Sequence, residues 1–549
     1  MAPPDSAHTD TFARDHLPPA GQWPVLEFTT ELLQYPERLN AAVELIDRPV
    51  AAFGPDRPAL RTPDGEVWTY GELQRRADRV ARVLTEELGL VPGNRVLLRS
   101  PNTPWAVAAW LGVLKAGGIV VSSMAALRAR ELAPIVAKTR PSVALVDHRY
   151  LDEVFAVRDT VAPELAVLPH GGDTADDLSR RTEAGSAPFR AVDTAADDVA
   201  LFGPTSGTTG VPKITVHFHR DLLSIDNTFG RNTLRLRPDD LVACTAPFAF
   251  TFGLGMLVVF TLRAGACAFL TEAATPVQLA RLVADHGVTV LATAPTAYQQ
   301  IVKSGEVHRL SGLRTAVSAG EHIPRGLWEK LHDALGIKVI DGIGATELLH
   351  IFISAAGPDI RPGATGRPVP GYRATVLGPD GEEAAPGVAG RLGVIGPVGC
   401  RYLDDERQAD YVVNGWNVTG DTFVRDEDGY FWYQARSDDM IVSSGYNIAG
   451  PEVEAALVTH PDVAETAVVA APDPERGSVV CAFVVLRDGV VGDPAKAREI
   501  QDHVKQLIAP YKYPRDVRFV DALPRNPSGK LQHFKLRRIV REQSAEDLA

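Results

Sequence analysis

The sequence predicts an α/β protein: mostly parallel sheets with crossover helices, a small β-rich unit, and a last α/β unit at the C-terminus. Two patterns carry this. Short β-branched runs such as Arg95–Ser100 alternate with helix-periodic stretches such as Leu73–Glu87, as strands joined by helical crossovers do. After Arg361, glycine and proline punctuate shorter strand-like runs, ATVLGPDG and GRLGVIG. The length of 549 residues allows three or four units at about 150 residues each, and a core of that size needs no disulfide staples.

In chain order, residues 1–30 read as a loose, Pro-rich tail. A strand-like piece from Ala59 leads into the Leu73–Glu87 helix, the Arg95–Ser100 strand, a buried helix over Trp105–Lys115 and a β-branched run at Gly118–Val121. Gly171–Asp198 is polar and acidic, and reads as a surface excursion between two subdomains. Strand-like runs then resume at Val199–Phe202, Leu241–Thr245, Ala266–Thr271, Val288–Thr293 and Thr315–Ala319, with helices at Pro276–His286 and Pro295–Lys303. From about Asp439 the strands AETAVVAAP and VVCAFVVL and the helix Ala495–Ile508 form the last unit.

Net charge is −13, from 56 basic and 69 acidic residues. That balance argues against nucleic-acid binding or docking on an anionic membrane, which need a basic face. Cys244, Cys267, Cys400 and Cys481 are far apart and form no CxxC or Cys/His cluster, so neither a disulfide framework nor structural zinc is expected. The N-terminus lacks an apolar signal core, and the run Gly253–Leu270 is broken by Arg263. A cytoplasmic protein is expected.

Four segments carry chemistry. Thr205-Ser206-Gly207-Thr208-Thr209-Gly210-Val211-Pro212-Lys213 follows a strand. Its glycines let amide N–H groups face an anion, its hydroxyls donate, and Lys213 adds a point charge, which suits a polyphosphate. An ordinary Ser/Thr/Gly turn is the bland alternative, and no GxxxxGK[ST] pattern is present. Gly342-Ile343-Gly344-Ala345-Thr346-Glu347 places glycines at a strand end and a carboxylate suited to Mg²⁺, although a turn with a surface glutamate reads equally well. Thr419-Gly420-Asp421 and Arg436-Ser437-Asp438-Asp439 offer a ribose-binding carboxylate and an arginine. Finally, Pro524-Arg525-Asn526-Pro527-Ser528-Gly529-Lys530 holds Lys530 on a stiff loop, where a solvated lysine is the plainer reading. His217 and His219 alternate without a catalytic partner, and no HExxH, GxSxG or GxGxxG occurs.

Together, in this order and spacing, these segments resemble the adenylate-forming superfamily of acyl-CoA synthetases, carrier-protein adenylation domains and beetle luciferases, over nearly the full chain. The phrases DGIGATELLHIF and LPRNPSGKLQHFKLR look like benzoate– and 2-aminobenzoate–CoA ligases. Ile343 departs from the usual adenine-stacking tyrosine, a departure the aryl-acid branch shares.

The resemblance implies a large N-terminal domain (31–437) of two doubly wound subdomains with a small β-rich unit, and a smaller mobile α+β lid (438–549). It implies an acid–thiol ligase that uses ATP, Mg²⁺ and coenzyme A to convert an aryl acid to its AMP ester and then its CoA thioester. The alternative acceptor is a carrier protein's phosphopantetheine arm. Lys530, Glu347 and Thr346 would be catalytic, with Glu347 holding Mg²⁺. ATP would meet Thr205, Ser206, Gly207, Thr208, Thr209, Lys213, Ala319, Gly320, Glu321, Gly342, Ile343, Asp421 and Arg436. Asp438 would be the hinge and Gly445 would line the CoA tunnel. Phe250, Ala319, Gly342, Gly344, Leu349 and His350 would form a flat apolar slot for one aromatic ring. There His350 either meets the acid or packs behind the slot. A monomer or homodimer is expected.

Overall fold

Six strands form one doubly wound sheet, in the order Ala166–His170, Val143–Asp147, Arg95–Arg99, Ile119–Ser123, Val199–Thr205, Lys213–Phe218. All neighbours are parallel except the last pair, a hairpin. Every residue of the strands Arg95–Arg99, Ile119–Ser123 and Val143–Asp147 is buried, because helices cover both faces of such a sheet. This is why those strands read as continuous rather than alternating apolar runs. The computed structural model describes residues 6–181, 188–205, 212–436, 440–443, 446–473, 477–508, 512–526 and 531–546.

A second, nine-stranded sheet has parallel centre strands Ile340–Gly344, Thr315–Ala319, Val290–Thr293, Leu241–Cys244 and Cys267–Phe269. Ile351–Ser354 turns back antiparallel to Ile340–Gly344, so the intervening residues are forced through a tight turn.

Helix starts follow local capping. Thr69 accepts from the Glu72 N–H while the Glu72 carboxylate accepts from the Thr69 N–H at 2.9 Å, a reciprocal cap that sets the helix start at Tyr70. That helix runs regularly to Arg82 and continues as a wider turn through Glu87. It packs beside Pro104–Lys115, whose last residue is a buried lysine bound to Asp47 at 2.6 Å and Asp78 at 2.5 Å.

Two expectations need correction. Residues 6–30 are tied down rather than loose: the Ala7 N–H donates to Asp198 at 3.0 Å, Asp10 pairs with Arg95, and Phe12, Leu17 and Trp23 pack on the core of the six-stranded sheet. Single apolar residues spaced among prolines leave no periodic signal, yet each buries surface. Likewise, Gly171–Asp198 is only partly a surface excursion, since Asp177, Thr194 and Asp198 are buried. Asp198 accepts from the Ala7 and Ala195 N–H groups.

The chain divides into two units, Met1–Ala374 with Gly393–Val418, and Thr375–Leu392 with Thr419–Ala549. The sequence places a domain boundary near residue 437; contacts group Thr375–Leu392 and Thr419–Arg436 with the later residues. Thr375–Leu392 joins the second unit, where the Gly387 N–H donates to the Arg425 carbonyl at 2.8 Å and Glu383 pairs with Arg425 at 2.7 Å. The second unit also holds the sheet Val463–Asp473, Gly477–Leu486, Asp516–Phe519 and the helices Gly450–Leu457, Pro494–Leu507 and His533–Glu546. Among the described residues, no helix is long and apolar enough to cross a membrane.

Candidate active site

The phosphate-type segment closes the hairpin of Val199–Thr205 and Lys213–Phe218, with Thr205 and Lys213 in register at its base. Sheet pairing thus fixes where both ends of the loop stand. Ser206, Gly207, Thr208 and Thr209 lie outside the described residues, as do Asp438, Gly445 and Lys530.

Lys213 meets Glu347, 134 positions away in sequence, at 3.6 Å. The approach is possible because residue 203 is glycine: a Cβ there would stand 2.6 Å from Thr215 Oγ1 and 3.1 Å from the Thr346 methyl. Thr346 therefore rests against the phosphate-loop strand, and the turn Thr346–Leu348 carries Glu347, 8% exposed, to Lys213.

A residue that motif reading missed stands between them. Lys213 Nζ donates to the Tyr402 hydroxyl at 2.7 Å, and that hydroxyl donates to Glu347 Oε1. Burial, reinforced by the Glu347 charge, pushes the phenol far up, so it stays protonated. Tyr402 lies in none of the segments singled out from the sequence, and a lone aromatic ahead of the charged run Asp404–Arg407 was too weak a signal to find it.

After Glu347 the backbone reverses. Leu349 is fully buried and adopts φ +67°, a region that costs a non-glycine residue of order 1–3 kcal/mol and clusters at functional sites. The turn sends His350 away from Lys213 into an aromatic box, with ring centroids 5.4 Å from Phe229, 5.6 Å from Phe252 and 4.6 Å from Phe260. Burial lowers the His350 pKa to about 3, and its Nε2 lies 3.4 Å from the Phe252 carbonyl. His350 is therefore neutral at working pH, a shape and a hydrogen-bonding group rather than a charge.

Gly342 and Gly344, two of the residues expected to line a ring slot, lie on the strand that pairs with the chain emerging from this turn. Ala319 ends its strand in register with Gly342 and is 5% exposed, and Gly320 and Glu321 follow it. A Cβ at Gly344 would lie 2.7 Å from the His350 carbonyl oxygen, so the returning chain requires glycine there. Ile343 is half-buried and Phe250, 36% exposed, precedes the helix Thr251–Leu254. Asp341, not singled out from sequence, is buried beside Gly342, and burial pushes its carboxyl well above the usual range. Asp421 and Arg436 are paired neighbours on adjacent strands of the second unit.

Glu347 fits Mg²⁺. It supplies a hard oxygen donor beside the Lys213 ammonium, and Mg²⁺ in nucleotide sites takes one or two carboxylates with substrate phosphates and water. By contrast, the group His460, Asp462 and Glu499 is an ion-pair cluster. Lys496 Nζ sits 2.6 Å from both carboxylates, and the Asp462 N–H donates to His460 Nδ1, which leaves the imidazole proton on Nε2 facing Glu499.

Residues 47–401 match the AMP-binding enzyme family and residues 452–530 its C-terminal domain. The benzoate–CoA ligase of Thauera aromatica is 35% identical over 520 residues, spanning 93% of this chain and 98% of that protein. The crystal structure of anthranilate CoA ligase AuaEII with anthranoyl-AMP superposes with TM-score 0.87 at 31% identity, over 94% of this chain and 100% of that one. A benzoate CoA ligase from Burkholderia xenovorans LB400 gives 0.82 at 30% identity, over 91% and 100%. With residues 47–401 and 452–530 matched by the two family models and a relative 35% identical along 98% of its length, the chain belongs to the family of AMP-binding enzymes.

Proposed function

We propose that this protein is an ATP- and Mg²⁺-dependent aryl acid–CoA ligase acting on benzoate or a small ring-substituted benzoate such as 2-aminobenzoate. The observation that carries the proposal is the meeting of half-buried Lys213 with buried Glu347 at the base of a Ser/Thr/Gly hairpin, next to a turn whose other side is an aromatic box. Likeness to benzoate– and anthranilate–CoA ligases supports the aromatic acid.

The chemistry such a site must perform is positioning and neutralisation, since a carboxylate and ATP repel one another and a carboxylate is a weak nucleophile. In the first half-reaction a carboxylate oxygen attacks the α-phosphorus and pyrophosphate leaves. Thr205 and Lys213 hold the departing phosphates, and Glu347 holds Mg²⁺, which when bound neutralises them. Asp421 serves the ribose, and Lys530 neutralises the negative charge that builds on the α-phosphate. In the second, the CoA thiol attacks the acyl carbon and AMP leaves. The slot formed by Phe250, Ala319, Gly342, Gly344 and Leu349 takes the ring, with neutral His350 at its back.

The test is acid-dependent ATP–pyrophosphate exchange over benzoate and its 2-amino, 2-hydroxy and 3-hydroxy forms, with mass analysis of products in the presence of CoA. An exchanging aryl acid that yields its CoA thioester is the expected result. Exchange without thioester would point to a carrier-protein acceptor, and no exchange with any aryl acid would refute the slot. Lys530→Ala should abolish exchange yet largely spare thioester formation from supplied aryl–AMP; equal loss in both would refute its role.

A further inference from the structure

We propose that Tyr402 is a positioning residue of the nucleotide site, a spacer hydroxyl that keeps Lys213 and Glu347 apart, charged and aimed. The inference rests on the reading of Lys213 and Glu347 as phosphate and Mg²⁺ residues and extends it to a third residue outside the motifs.

The geometry is specific. An unspaced ammonium–carboxylate hydrogen bond closes to about 2.7–2.9 Å, whereas Lys213 and Glu347 stand 3.6 Å apart with the phenol bonded to both. The lysine also lies 4.6 Å from the centre of the Tyr402 ring, so the ring's face and hydroxyl together constrain one flexible ammonium. The phenol and the ammonium both meet Glu347 at Oε1. Without the hydroxyl, the two opposite charges would collapse into a direct pair. Lys213 would then be withdrawn from phosphate and Glu347 from metal.

Tyr402 is itself held from every side, as a spacer must be. The Val216 N–H donates to the Arg401 carbonyl at 2.8 Å and the Leu403 N–H to the Ile214 carbonyl at 2.9 Å, stitching residues 401–403 to the strand that begins at Lys213. The fully buried ion pair of Arg401 with Asp221 at 3.0 Å pins the same segment. Gln408 accepts from the Tyr402 N–H at 2.9 Å and donates to the Gln22 carbonyl at 2.9 Å. The N-terminal segment thus braces the spacer.

The experiment measures binding rather than turnover. Calorimetric titration of the full chain with ATP is done with Mg²⁺ and with EDTA, for wild type, Tyr402→Phe, Lys213→Ala and the double variant. Tyr402→Phe should weaken Mg·ATP binding roughly ten- to hundredfold, the range expected for hydrogen bonds to charged groups, and should shrink the Mg²⁺-dependent gain. Thioester formation from supplied aryl–AMP should persist, which reports that the variant is folded. In Lys213→Ala the further loss on adding Tyr402→Phe should be smaller than in wild type, since there is no ammonium to space; additive losses would indicate a merely structural tyrosine and overturn the proposal. Wild-type Mg·ATP affinity in Tyr402→Phe would also overturn it. Should Tyr402→Phe misfold, 3,5-difluorotyrosine at position 402 keeps the shape and changes the hydroxyl's acidity, and unchanged Mg·ATP affinity would then refute the spacer role. Failure of wild type to bind Mg·ATP at all would instead refute the nucleotide-site reading.

Discussion

Acid should unfold the first unit earlier than carboxylate titration alone would, and the cause is four fully enclosed histidines. His170, His217, His219 and His350 are at most 2% exposed. Burial lowers their pKa values to about 4, 4, 3 and 3. A base depressed in the folded state contributes stability that is complete above its free pKa of about 6.5 and is lost as pH falls towards the folded value. Between pH 7.5 and 5.5 the unfolded chain takes up close to one proton per histidine while the folded chain takes up none. Each site then costs about 1.4 kcal/mol and the four together about 5.5 kcal/mol, comparable with the whole stability of many domains. Burial raises the carboxyls of Asp78, Asp226 and Asp341, which oppose the loss, so that figure is a ceiling. The clean measurement is therefore a difference. Urea unfolding followed by tryptophan fluorescence at pH 7.5, 6.5 and 5.5 compares wild type with His350→Phe, which adds a ring without a proton site among Phe229, Phe252 and Phe260. Of the tryptophans only Trp432 belongs to the second unit, so the signal reports mainly the first. The wild-type curve should fall more steeply, by about 1.4 kcal/mol over the two pH units. Parallel curves, differing by less than about 0.5 kcal/mol, within the ordinary non-additivity of independent sites, would refute the assignment.

Three further outcomes follow from single residues. Asp341→Asn should match wild type near pH 4 and become relatively more stable above it, by up to about 1.4 kcal/mol per pH unit, because the buried carboxyl retains a proton that the unfolded chain releases; denaturation curves from pH 4 to 8 check this. Lys115→Ala should cost about 3–5 kcal/mol, since it strands Asp78 beside Asp47, and Lys115→Ala with Asp78→Leu should recover part of that loss in the same urea assay. Gly203→Val should leave the melting temperature closer to wild type than the pyrophosphate exchange rate, because the added branch strikes Thr346 and moves Glu347 off Lys213; equal loss of both would show that the contact is structural only.

Most strands between Arg95 and Ala319 were legible in the sequence because burial on both sheet faces writes continuous β-branched runs, but Val143–Asp147 and Ala166–His170 were not singled out. Thr315–Ala319 and the helices Pro276–His286 and Pro295–Lys303 have the bounds that their proline caps and apolar runs suggest. The ordered N-terminal segment was not legible, since its energy lies in isolated anchors such as Trp23 and in long-range hydrogen bonds to Asp198. The grouping of Thr375–Leu392 with the second unit was not legible for a related reason: it is made through partners near residue 425, and no local composition records a partner. Lys213 and Glu347 were found as motif residues. Their separation, and the tyrosine that sets it, exist only after the strand from Lys213 pairs beside residues 401–403.

The same logic explains why the turn at Leu349 is worth its strain. The strand Ile340–Gly344 must be followed by an antiparallel neighbour, and only a few residues separate them. Within those residues the chain has to deliver a carboxylate to a lysine on a different sheet and an imidazole to an aromatic box on the opposite side. The tight helical turn Thr346–Leu348 carries Glu347, and the reversal at Leu349 re-aims the chain before His350. Complete burial of the Leu349 side chain, worth about 1.5–3 kcal/mol for a side chain of this kind, offsets the strain of its left-handed backbone. Leu349→Gly would remove the strain and the burial together, so the turn would lose the anchor that makes its direction unique. The polar and apolar halves of the site are thus joined through one backbone reversal, and disturbing it should weaken Mg·ATP and aryl-acid binding together, where Tyr402→Phe should weaken only the first. Titration of the Leu349→Gly variant with each ligand separately would decide it: loss of one affinity with the other intact would show that the two halves are positioned independently.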